Sequence, residues 1–541
     1  MVRTPGVYNF NGRFAVLEFL VTAMLFPAVS SAEPTPSRQP YELEGKRLVF
    51  TSWAFVRPCG PPWTDRASES ALAAESDNGD QDSALHTPWG VRIRAHKPSE
   101  RRKLVIAPEK PWESAPIVIA ECIVEDNGVY KAWAECSAGP CYLESDDGLT
   151  WRRPIVGLVE FRSSKENNLI PSAPKRNVFI DPSSEYRYKS VWEASFNQDE
   201  FDAYRQRRPD AWSTMAKRQI GNEVRYVGLK GAVSRDGFTW EEIDHPLVID
   251  HTDTVNVGYY DARREKYIIY VRKWNTLPRA PGYMPDTWDS WLAHGRRCIG
   301  RIEADDFRNL PLSQLIVEPS PEMPPTFGLY TNCFTWIPEA PDLFLMFPAA
   351  YDVIDDTTQT WIASSLDGKA WHWIPGNPLF ETAPFGQWDG GCLFAYPPLM
   401  ELGDGSFALP YIGANVPHKY PRGLVKTDWA YAIWPHGRLI AIEAEERGEF
   451  ATVPMIPPGQ KLYINALTKR TGYVRVALQR CGDTTEIVPG RGFKEAIAVV
   501  GDHPRTLVRW QDTDKLGVKP GEAVSLLFKL NQAEIFSLAF E

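Results

Sequence analysis

Short apolar runs separated by turn residues recur along most of this chain, and their order repeats five times. Each repeat has an apolar run, a turn, a second apolar run, a variable loop and a hairpin. The first runs of the repeats begin at Ala115, Asn177, Thr254, Asn332 and Gly391. Apolar runs of this length between turn residues predict β-strands. Five similar groups of strands predict a radial repeat fold.

A short phrase marks the hairpin of each repeat. It reads S-D-D-G-L-T-W from Ser145, S-R-D-G-F-T-W from Ser234 and S-L-D-G-K-A-W from Ser365, and it is degenerate at 303–307 and 434–438. The aspartate can accept backbone N–H groups in a tight turn, the glycine takes a positive φ, and the tryptophan can cover the hairpin. The phrase resembles the Asp-box of sialidase-type propellers.

These patterns predict an all-β chain made of a five-bladed β-propeller followed by a C-terminal β-sandwich. The propeller is expected at 112–442 and the sandwich at 443–541, where further apolar runs alternate with turn residues. Residues 33–111 are interpreted as a linker and an N-terminal segment that packs on the propeller. A single long β-sandwich is the alternative.

The first 32 residues are interpreted as a signal peptide. Arg3 and Arg13 precede an apolar run from Phe19 to Val29, and S-S-A follows directly before Glu33. Basic residues, an apolar run and small residues in this order are typical of an export signal. We therefore expect a secreted or periplasmic protein with no membrane association after the signal is removed.

Composition and charge narrow the function classes. The chain has 541 residues, 43% of them hydrophobic, so it can bury a large core. Its net charge of −10 disfavours a nucleic-acid partner. The eight cysteines follow no zinc-site spacing, and no cofactor or metal is predicted. Cys136 and Cys141 could form a disulfide after export, whereas Cys122, Cys333 and Cys392 are expected to be buried free thiols.

The predicted topology separates two ends of the propeller. The hairpin phrases and the short turns share one end, because both follow odd-numbered strands of a blade. The opposite end carries the starts of the first strands and the long loops after the second strands, where propellers place function. Five aspartates fall at the turn end and are interpreted as structural: Asp147, Asp181, Asp236, Asp261 and Asp367.

The loop end collects the candidate site residues. Glu193, Asp253 and Asp389 are the candidate catalytic carboxylates, sharing the acid, base or nucleophile and pKa-setting roles that glycosidic cleavage requires. Further polar and aromatic side chains at the same end are candidate ligands for an oligo- or polysaccharide. They are Glu113, Glu135, Asn256, Arg272, Trp274, Asn332, Tyr351, Trp388, His418 and Arg422. The oligomeric state is not specified by the sequence.

A resemblance to known enzymes supports this hypothesis. A five-bladed propeller followed by a sandwich resembles glycoside hydrolase families 32 and 43 and their relatives, and phrases such as Y-K-S-V-W-E, D-T-V-N-V and P-H-K-Y-P-R-G resemble exported bacterial family-32-like proteins. The resemblance implies an exported glycoside hydrolase. Those families carry N-D-P-like and R-D-P aspartates and an E-C glutamate on successive blades. This sequence contains neither N-D-P nor R-D-P, and its two E-C pairs, at Glu121 and Glu135, both lie in the first repeat.

Two other functions stay open at the sequence level. A non-catalytic carbohydrate-binding or scaffold propeller would tie each carboxylate of the loop end to an arginine or lysine. A sialidase-like hydrolase would direct several arginines at a substrate carboxylate, with Arg272, Arg296 and Arg297 as candidates.

Overall fold

The computed structural model describes residues 40–58, 88–174, 176–209, 217–220, 223–250, 252–275, 295–481 and 486–541. The predicted signal peptide lies outside these residues. The fold is nearly all-β, as predicted, and the described residues include one α-helix, α1 (Gln198–Arg207). Three short 3-10 helices accompany it, at Trp53–Phe55, Arg422–Leu424 and Pro435–Gly437. None of the helices in the described ranges has the length and apolar character needed to cross a membrane.

Four short strands precede the first repeat: β1 (Tyr41–Glu42), β2 (Arg47–Leu48), β3 (Arg92–Ala95) and β4 (Glu100–Lys103). They do not form a sheet of their own. The first three join the C-terminal sheet, and β4 joins the sheet of the fifth repeat. Within the segment 33–111, the described strands are therefore shared between the C-terminal sheet and the sheet of the fifth repeat.

The first two repeats each form one antiparallel sheet. The first sheet contains β5 (Val118–Asp126), β6 (Val129–Cys136) and β7 (Gly139–Ser145). The strands of the second sheet are β8 (Val178–Ile180), β9 (Tyr188–Phe196), β10 (Lys217–Ile220), β11 (Glu223–Ser234) and β12 (Glu241–Glu242). Helix α1 follows β9, and Asn197 caps it with a capping box to Glu200.

The third repeat is a four-stranded sheet of β13 (Val257–Asp261), β14 (Lys266–Trp274), β15 (Arg297–Ala304) and β16 (Gln314–Val317). The fourth repeat is divided into two four-stranded sheets with the same spatial order. One contains β17 (Phe327–Leu329), β20 (Ala349–Asp352), β21 (Thr357–Thr360) and β24 (Phe380–Glu381). The other contains β18 (Phe334–Ile337), β19 (Ala340–Met346), β22 (Ala363–Ser365) and β23 (His372–Trp373). The repeat thus has four extended segments, and each segment contributes one strand to the first sheet and another strand to the second.

The fifth repeat and the C-terminal region complete the fold. The fifth-repeat sheet contains β4, β25 (Cys392–Ala395), β26 (Met400–Glu401), β27 (Phe407–Ala414) and β28 (Thr427–Trp434). An eight-stranded C-terminal sheet joins β1–β3 to β29 (Ile440–Ala451), β30 (Met455–Ile456), β31 (Leu462–Arg480), β32 (Asp502–Leu507) and β33 (Val524–Phe540). Strand β29 runs across the predicted boundary at 442. The blade count of five and the C-terminal sandwich stay predictions.

The three complete hairpin phrases fold into the same turn. In the first, Asp147 Oδ1 accepts the backbone N–H groups of Leu149 and Thr150 at 2.8 and 2.7 Å. Asp236 and Asp367 accept the equivalent pairs in the second and fourth repeats. The glycine after each aspartate has φ between +71° and +82°, which only glycine adopts without strain. The structural interpretation of these three aspartates is thus consistent with their bonds.

Side-chain hydrogen bonds connect each repeat to the next and the fifth to the first. Three of them end on the carbonyl of a phrase glycine. In chain order the bonds are Trp133 Nε1 to Gly237 O at 2.7 Å, Tyr267 Oη to Asp181 Oδ2 at 2.5 Å, Tyr270 Oη to Gly368 O at 2.9 Å, Thr358 Oγ1 to Leu393 O at 2.8 Å and Tyr431 Oη to Gly148 O at 2.9 Å. The series of sheets is therefore closed by a contact between its last and first members.

The buried core is continuous across the repeats and the C-terminal sheet. One apolar cluster includes Leu409 of the fifth repeat with Phe450 and Phe528 of the C-terminal sheet, whose rings stack at 4.7 Å. Cys136 and Cys141 form the predicted disulfide. Cys333 and Cys392 are buried free thiols, as predicted. The side chain of Cys122 lies outside the described residues.

Candidate active site

The loop end of the second and third repeats brings two predicted carboxylates together. Glu193 lies near the end of β9, and Asp253 lies in the segment that leads into β13. The Asp253 carboxyl is within hydrogen-bonding reach of Glu193, and the backbone N–H of Thr254 donates to Glu193 Oε2 at 3.3 Å. Burial, followed by the negative charge of Asp253, raises the pKa of Glu193 to about 7, against the opposing effects of Thr254 and Arg272. The site therefore favours the protonated form of this carboxyl.

Arg272 fixes the other carboxylate. It is 3% exposed near the end of β14 and forms an ion pair with Asp253. Its Nη2 also donates to Thr254 Oγ1 at 3.2 Å and to the Tyr330 carbonyl at 2.7 Å. The guanidinium stacks over the Tyr330 ring, with its carbon 4.1 Å from the ring centroid. Such a network orients Asp253 and ties the third repeat to the fourth.

Next to this network is a cavity of about 400 Å³ that opens to solvent. Its walls include Arg297 and Lys419, the rings of Tyr330 and Tyr351, and His418. Tyr330 Oη and His418 Nε2 are 2.8 Å apart and share a hydrogen bond. The volume lies in the range of small-molecule binding sites. Tyrosine, histidine and cationic side chains around one opening can position a polar, ring-shaped ligand.

Five of the predicted side chains, from the second to the fifth repeats, meet at this place. Contacts connect Glu193, Asp253, Arg272, Tyr351 and His418 through Tyr330 and Thr254. Trp274 ends β14 and is buried beneath the Arg297 guanidinium. Side chains from different repeats therefore surround Tyr330 and Thr254.

Two predicted asparagines serve the backbone around the site. Asn256 Nδ2 donates to the carbonyls of Thr252 and Thr254. Asn332 Nδ2 donates to the carbonyls of Val255 and Tyr270, and so connects the third and fourth repeats. Both side chains are at most 1% exposed. The structure therefore places them behind the cavity wall, as supports for the residues that line it.

Other predicted residues have partners elsewhere. The Glu113 carboxylate is bound by Arg153 at 2.9 Å and by the backbone N–H of Glu109 at 2.8 Å. Glu135 is exposed on β6, beside the disulfide. The described contacts do not bring either residue to the Glu193 and Asp253 pair.

Asp389, the third candidate catalytic carboxylate, is 2% exposed and is held by Arg101 at 3.1 Å and by the Tyr411 hydroxyl at 3.2 Å. Trp388 packs against Tyr411, and the Lys103 amine lies 5.0 Å from its ring centroid. These partners belong to β4 and β27 of the fifth repeat. Arg422 begins a short 3-10 helix, and its side chain lies outside the described residues.

Sequence reasoning did not identify several residues at this site. Tyr330 and Thr254 are unremarkable in type, but Tyr330 lies two positions before the predicted run at Asn332 and Thr254 begins its own run, and these positions could have indicated them. Asp356 accepts a hydrogen bond from the Tyr351 hydroxyl and one from the Lys419 backbone N–H. Its position was hidden because the β20–β21 turn and the loop with His418 approach each other only in the folded chain.

The arginines of the sialidase-like alternative divide into two groups. Arg272 and Arg297 both reach the Tyr330 ring. Arg296, the neighbour of Arg297, is exposed. Two of the three candidates therefore converge.

One group in the described residues could offer three donor atoms to a cation. His96, Glu443 and Glu534 have donor atoms within 4.8 Å of one another, at the junction of β3, β29 and β33. Arg92 forms an ion pair with Glu443 at 2.5 Å, and this positive charge opposes a cation at the same carboxylate. The group is on the C-terminal sheet and shares no described contact with the cavity.

Comparisons with known proteins give matches only at the level of structure. A scan against protein-family models and a search of curated proteins found no match. Similar solved structures include an N-acetylgalactosamine deacetylase from F. plautii, with 12% identity, a TM-score of 0.35 and coverage of 63% of this chain and 94% of the other. They also include a thermostable family-43 glycoside hydrolase, with 13% identity, a TM-score of 0.33 and coverage of 60% and 91%. A family-32 β-fructofuranosidase from Bombyx mori has 9% identity, a TM-score of 0.28 and coverage of 84% and 94%.

These solved structures include members of the two glycoside hydrolase families that the sequence resembles. At such identities and TM-scores they carry no argument about chemistry. The function is therefore argued from the cavity and the groups around it.

Proposed function

We propose that this chain is an exported glycoside hydrolase that cleaves a glycosidic bond in the cavity beside Glu193 and Asp253. The observation that carries the proposal is a buried carboxyl with a pKa of about 7 next to an ion-paired carboxylate. A proton donor of this pKa can protonate a leaving glycosidic oxygen at neutral pH. Secretion or periplasmic export and a carbohydrate partner belong to the same proposal.

The pair acts as one proton-donating unit. Retaining enzymes hold their two carboxyl groups about 5 Å apart, and inverting enzymes hold them about 6.5–9.5 Å apart. Glu193 and Asp253 are within hydrogen-bonding reach, so they do not flank a bond in either way. In this proposal Glu193 donates the proton, and Asp253 keeps the pKa of Glu193 high enough for that task.

In this proposal Tyr330 is the nucleophile and His418 is its general base. The Tyr330 oxygen attacks the anomeric carbon while His418 Nε2, at 2.8 Å, takes the phenolic proton. Glu193 protonates the departing oxygen, and the carboxylate that results then takes a proton from the water that cleaves the tyrosyl intermediate. In that second step the bond between the Tyr330 oxygen and the anomeric carbon breaks, and His418 returns its proton to the Tyr330 oxygen. Tyrosine replaces the carboxylate nucleophile in some glycosidases. Two displacements on one carbon predict retention of the anomeric configuration.

The finer architecture is part of the proposal. Five repeats connected in a closed series support a five-bladed propeller, with the cavity at the mouth opposite the hairpin phrases. The register shifts between β31 and β33, at Asn465/Ala466 and Thr468/Tyr473, support a C-terminal module that folds over itself as a sandwich. A rigid ring would hold Glu193 and Tyr330, which come from different repeats, in a fixed relation.

The non-catalytic alternative requires that every carboxylate of the loop end be tied to a basic residue. Glu113, Asp253 and Asp389 meet that requirement, through Arg153, Arg272 and Arg101. Glu193 has no ion pair within the described ranges, and this difference favours catalysis.

Turnover of a glycan panel tests the proposal. We expect Glu193→Gln to lower kcat by about 10²–10⁴-fold, because the proton donor is lost. Glu135→Gln is the matched control, since this exposed carboxylate was predicted for the same mouth but is not in the cavity. Equal rates for wild type and Glu193→Gln, or a wild type that cleaves no glycan, would contradict the proposal.

The Tyr330→Phe variant and NMR analysis of the products test the role of Tyr330 as nucleophile. The phenylalanine variant keeps the ring under Arg272 and removes only the oxygen, so we expect a fall in kcat with little change in folding. The first product of the wild type should keep the anomeric configuration of the substrate. An inverted product would rule out the tyrosyl intermediate while leaving the role of Glu193 intact.

A further inference from the structure

We propose that the cavity binds the anionic group of an acidic sugar, a carboxylate or a sulfate, with Arg297 as its principal ligand. This inference rests on the proposed function and narrows the substrate class of the same site. It is argued from the surroundings of Arg297 and from the charges that face the cavity.

Arg297 begins β15 and points its guanidinium into a set of aromatic rings. The guanidinium carbon lies 5.2 Å from the Trp274 ring centroid and 5.4 Å from those of Tyr330 and Tyr351. Rings at this distance attract a cation through their π-faces and hold the guanidinium plane in place. They do not neutralise its charge. Arg297 is therefore positioned but keeps its positive charge at the cavity wall.

Arg297 differs from Arg272 and Arg301 in its charge partners. Arg272 is paired with Asp253, and Arg301, further along the same strand, is paired with Glu303 at 2.5 Å. In the described part of the chain Arg297 makes no ion pair with a carboxylate, and its buried Nε has no hydrogen-bond partner. Charged groups withdrawn from water are normally paired. Burial and the charge of Arg272 lower the pKa of Arg297, as expected for a cation without a counterion.

Two carboxylates near the cavity, Asp253 and Asp356, already have partners. Asp253 is held by Arg272, and Asp356 accepts bonds from the Tyr351 hydroxyl and the Lys419 backbone. The Lys419 amine is exposed at the rim, 3.9 Å from Asp356 and 5.7 Å from the Tyr351 ring centroid. Lys419 thus adds a second cationic group at the opening of the cavity. Its positive charge attracts an anion that approaches Arg297.

The chemistry of the guanidinium selects the class of ligand. A planar fork of N–H groups matches the oxygen pair of a carboxylate or a sulfate, and charge-assisted bonds of this kind are stronger than bonds to neutral hydroxyls. A neutral sugar could accept hydrogen bonds from Arg297 but would leave its charge uncompensated. The aromatic walls suit the apolar face of a sugar ring, so the ligand combines a sugar ring with an oxyanion.

Calorimetry with three probes tests the inference. The Glu193→Gln protein is titrated with methyl glucuronide, methyl glucoside 6-sulfate and methyl glucoside, so that no ligand is consumed. We expect at least one anionic probe to bind about 10- to 100-fold more tightly than the neutral one, the size of a charge-assisted contact. The tighter of the two anionic probes identifies carboxylate or sulfate as the source of the charge.

Arg297→Met removes the charge but keeps an unbranched apolar chain among the rings, and it should abolish the preference for the anion. Arg296→Met, at the exposed neighbouring position, is the matched control and should keep the preference. Anionic probes that bind no better than methyl glucoside overturn the inference, and this arm needs no substitution of Arg297. A preference that survives Arg297→Met also overturns it. Turnover of neutral and acidic glycans by the wild type decides the proposed function separately.

Discussion

At the scale of single residues, the proposed mechanism depends on the proton that Glu193 donates. Burial, followed by the carboxylate of Asp253, raises the Glu193 pKa to about 7, and the Thr254 N–H and Arg272 lower it. Asp253→Asn removes the negative charge and frees the Arg272 cation, and both changes favour the ionised form of Glu193. A general acid works only when protonated, so the alkaline limb of the kcat/KM profile should move from about pH 7 toward lower pH.

The pH–rate profiles of wild type, Asp253→Asn and Glu135→Gln check this prediction. The Glu135→Gln profile should overlay that of the wild type. An alkaline limb that stays in place in Asp253→Asn would show that Asp253 does not set the pKa of Glu193.

The same carboxyl should make stability depend on pH. Its folded pKa of about 7 is above the unfolded value near 4.5, so its contribution is fully present below pH 4.5 and is lost as pH rises through 7. Glu193→Gln cannot ionise and should be more stable than the wild type at pH 8, by about 1–3 kcal/mol. Thermal unfolding of both proteins at pH 5 and pH 8 measures the difference. A gap that does not widen with pH would contradict the assignment.

At the scale of elements, the hairpin turns connect the repeats. Gly148 has φ +73°, its carbonyl accepts the Tyr431 hydroxyl, and an added Cβ would meet Met400 Cε at 2.8 Å and Leu402 Cδ2 at 2.9 Å. Gly128 has a similar φ of +79° with open space around it. Gly148→Ala and Gly128→Ala share the backbone strain of about 1–2 kcal/mol, but only the first disturbs the contact between the fifth and first repeats.

We therefore expect Gly148→Ala to lower the free energy of unfolding by about 1–3 kcal/mol more than Gly128→Ala, which is the typical cost of overpacking. Denaturant unfolding of both variants gives the comparison. Equal losses would show that the last and first repeats are not packed as described.

The sequence predicts which strands exist better than it predicts where individual side chains lie. The apolar runs predicted β9, β14 and β19, because a short apolar run bounded by turn residues is a local property. The repeat order then predicted which ends converge, and so found Glu193, Asp253 and Arg272. It could not show that Asp389 is held by Arg101, since that partner comes from β4, almost three hundred residues earlier in the chain.

At the scale of the whole molecule, the first described strands and the C-terminal region fold as one unit. Strands β1–β3 belong to the C-terminal sheet, β4 belongs to the fifth repeat, and a single apolar cluster spans both. A chain that stops at 442 would leave β1 and β2 without partners, keep only Ile440–Ile442 opposite β3, and expose apolar faces of the fifth repeat. We predict that it is insoluble or aggregated, as judged by soluble yield and size-exclusion chromatography.

A chain that starts at Pro40 is the control, because it keeps every contact described above and should fold. A soluble, cooperatively unfolding protein truncated at 442 would instead show that the C-terminal region is a detachable module.

Titration of the Glu193 carboxyl itself tests most directly whether this group can be the proton donor near neutral pH. Protein labelled with ¹³C at the glutamate side-chain carboxyls is followed by NMR from pH 4 to pH 9, with Glu193→Gln to assign the signal. The account predicts a Glu193 resonance that titrates with a midpoint near pH 7. A midpoint near 4.5, the ordinary value for glutamate, would contradict it.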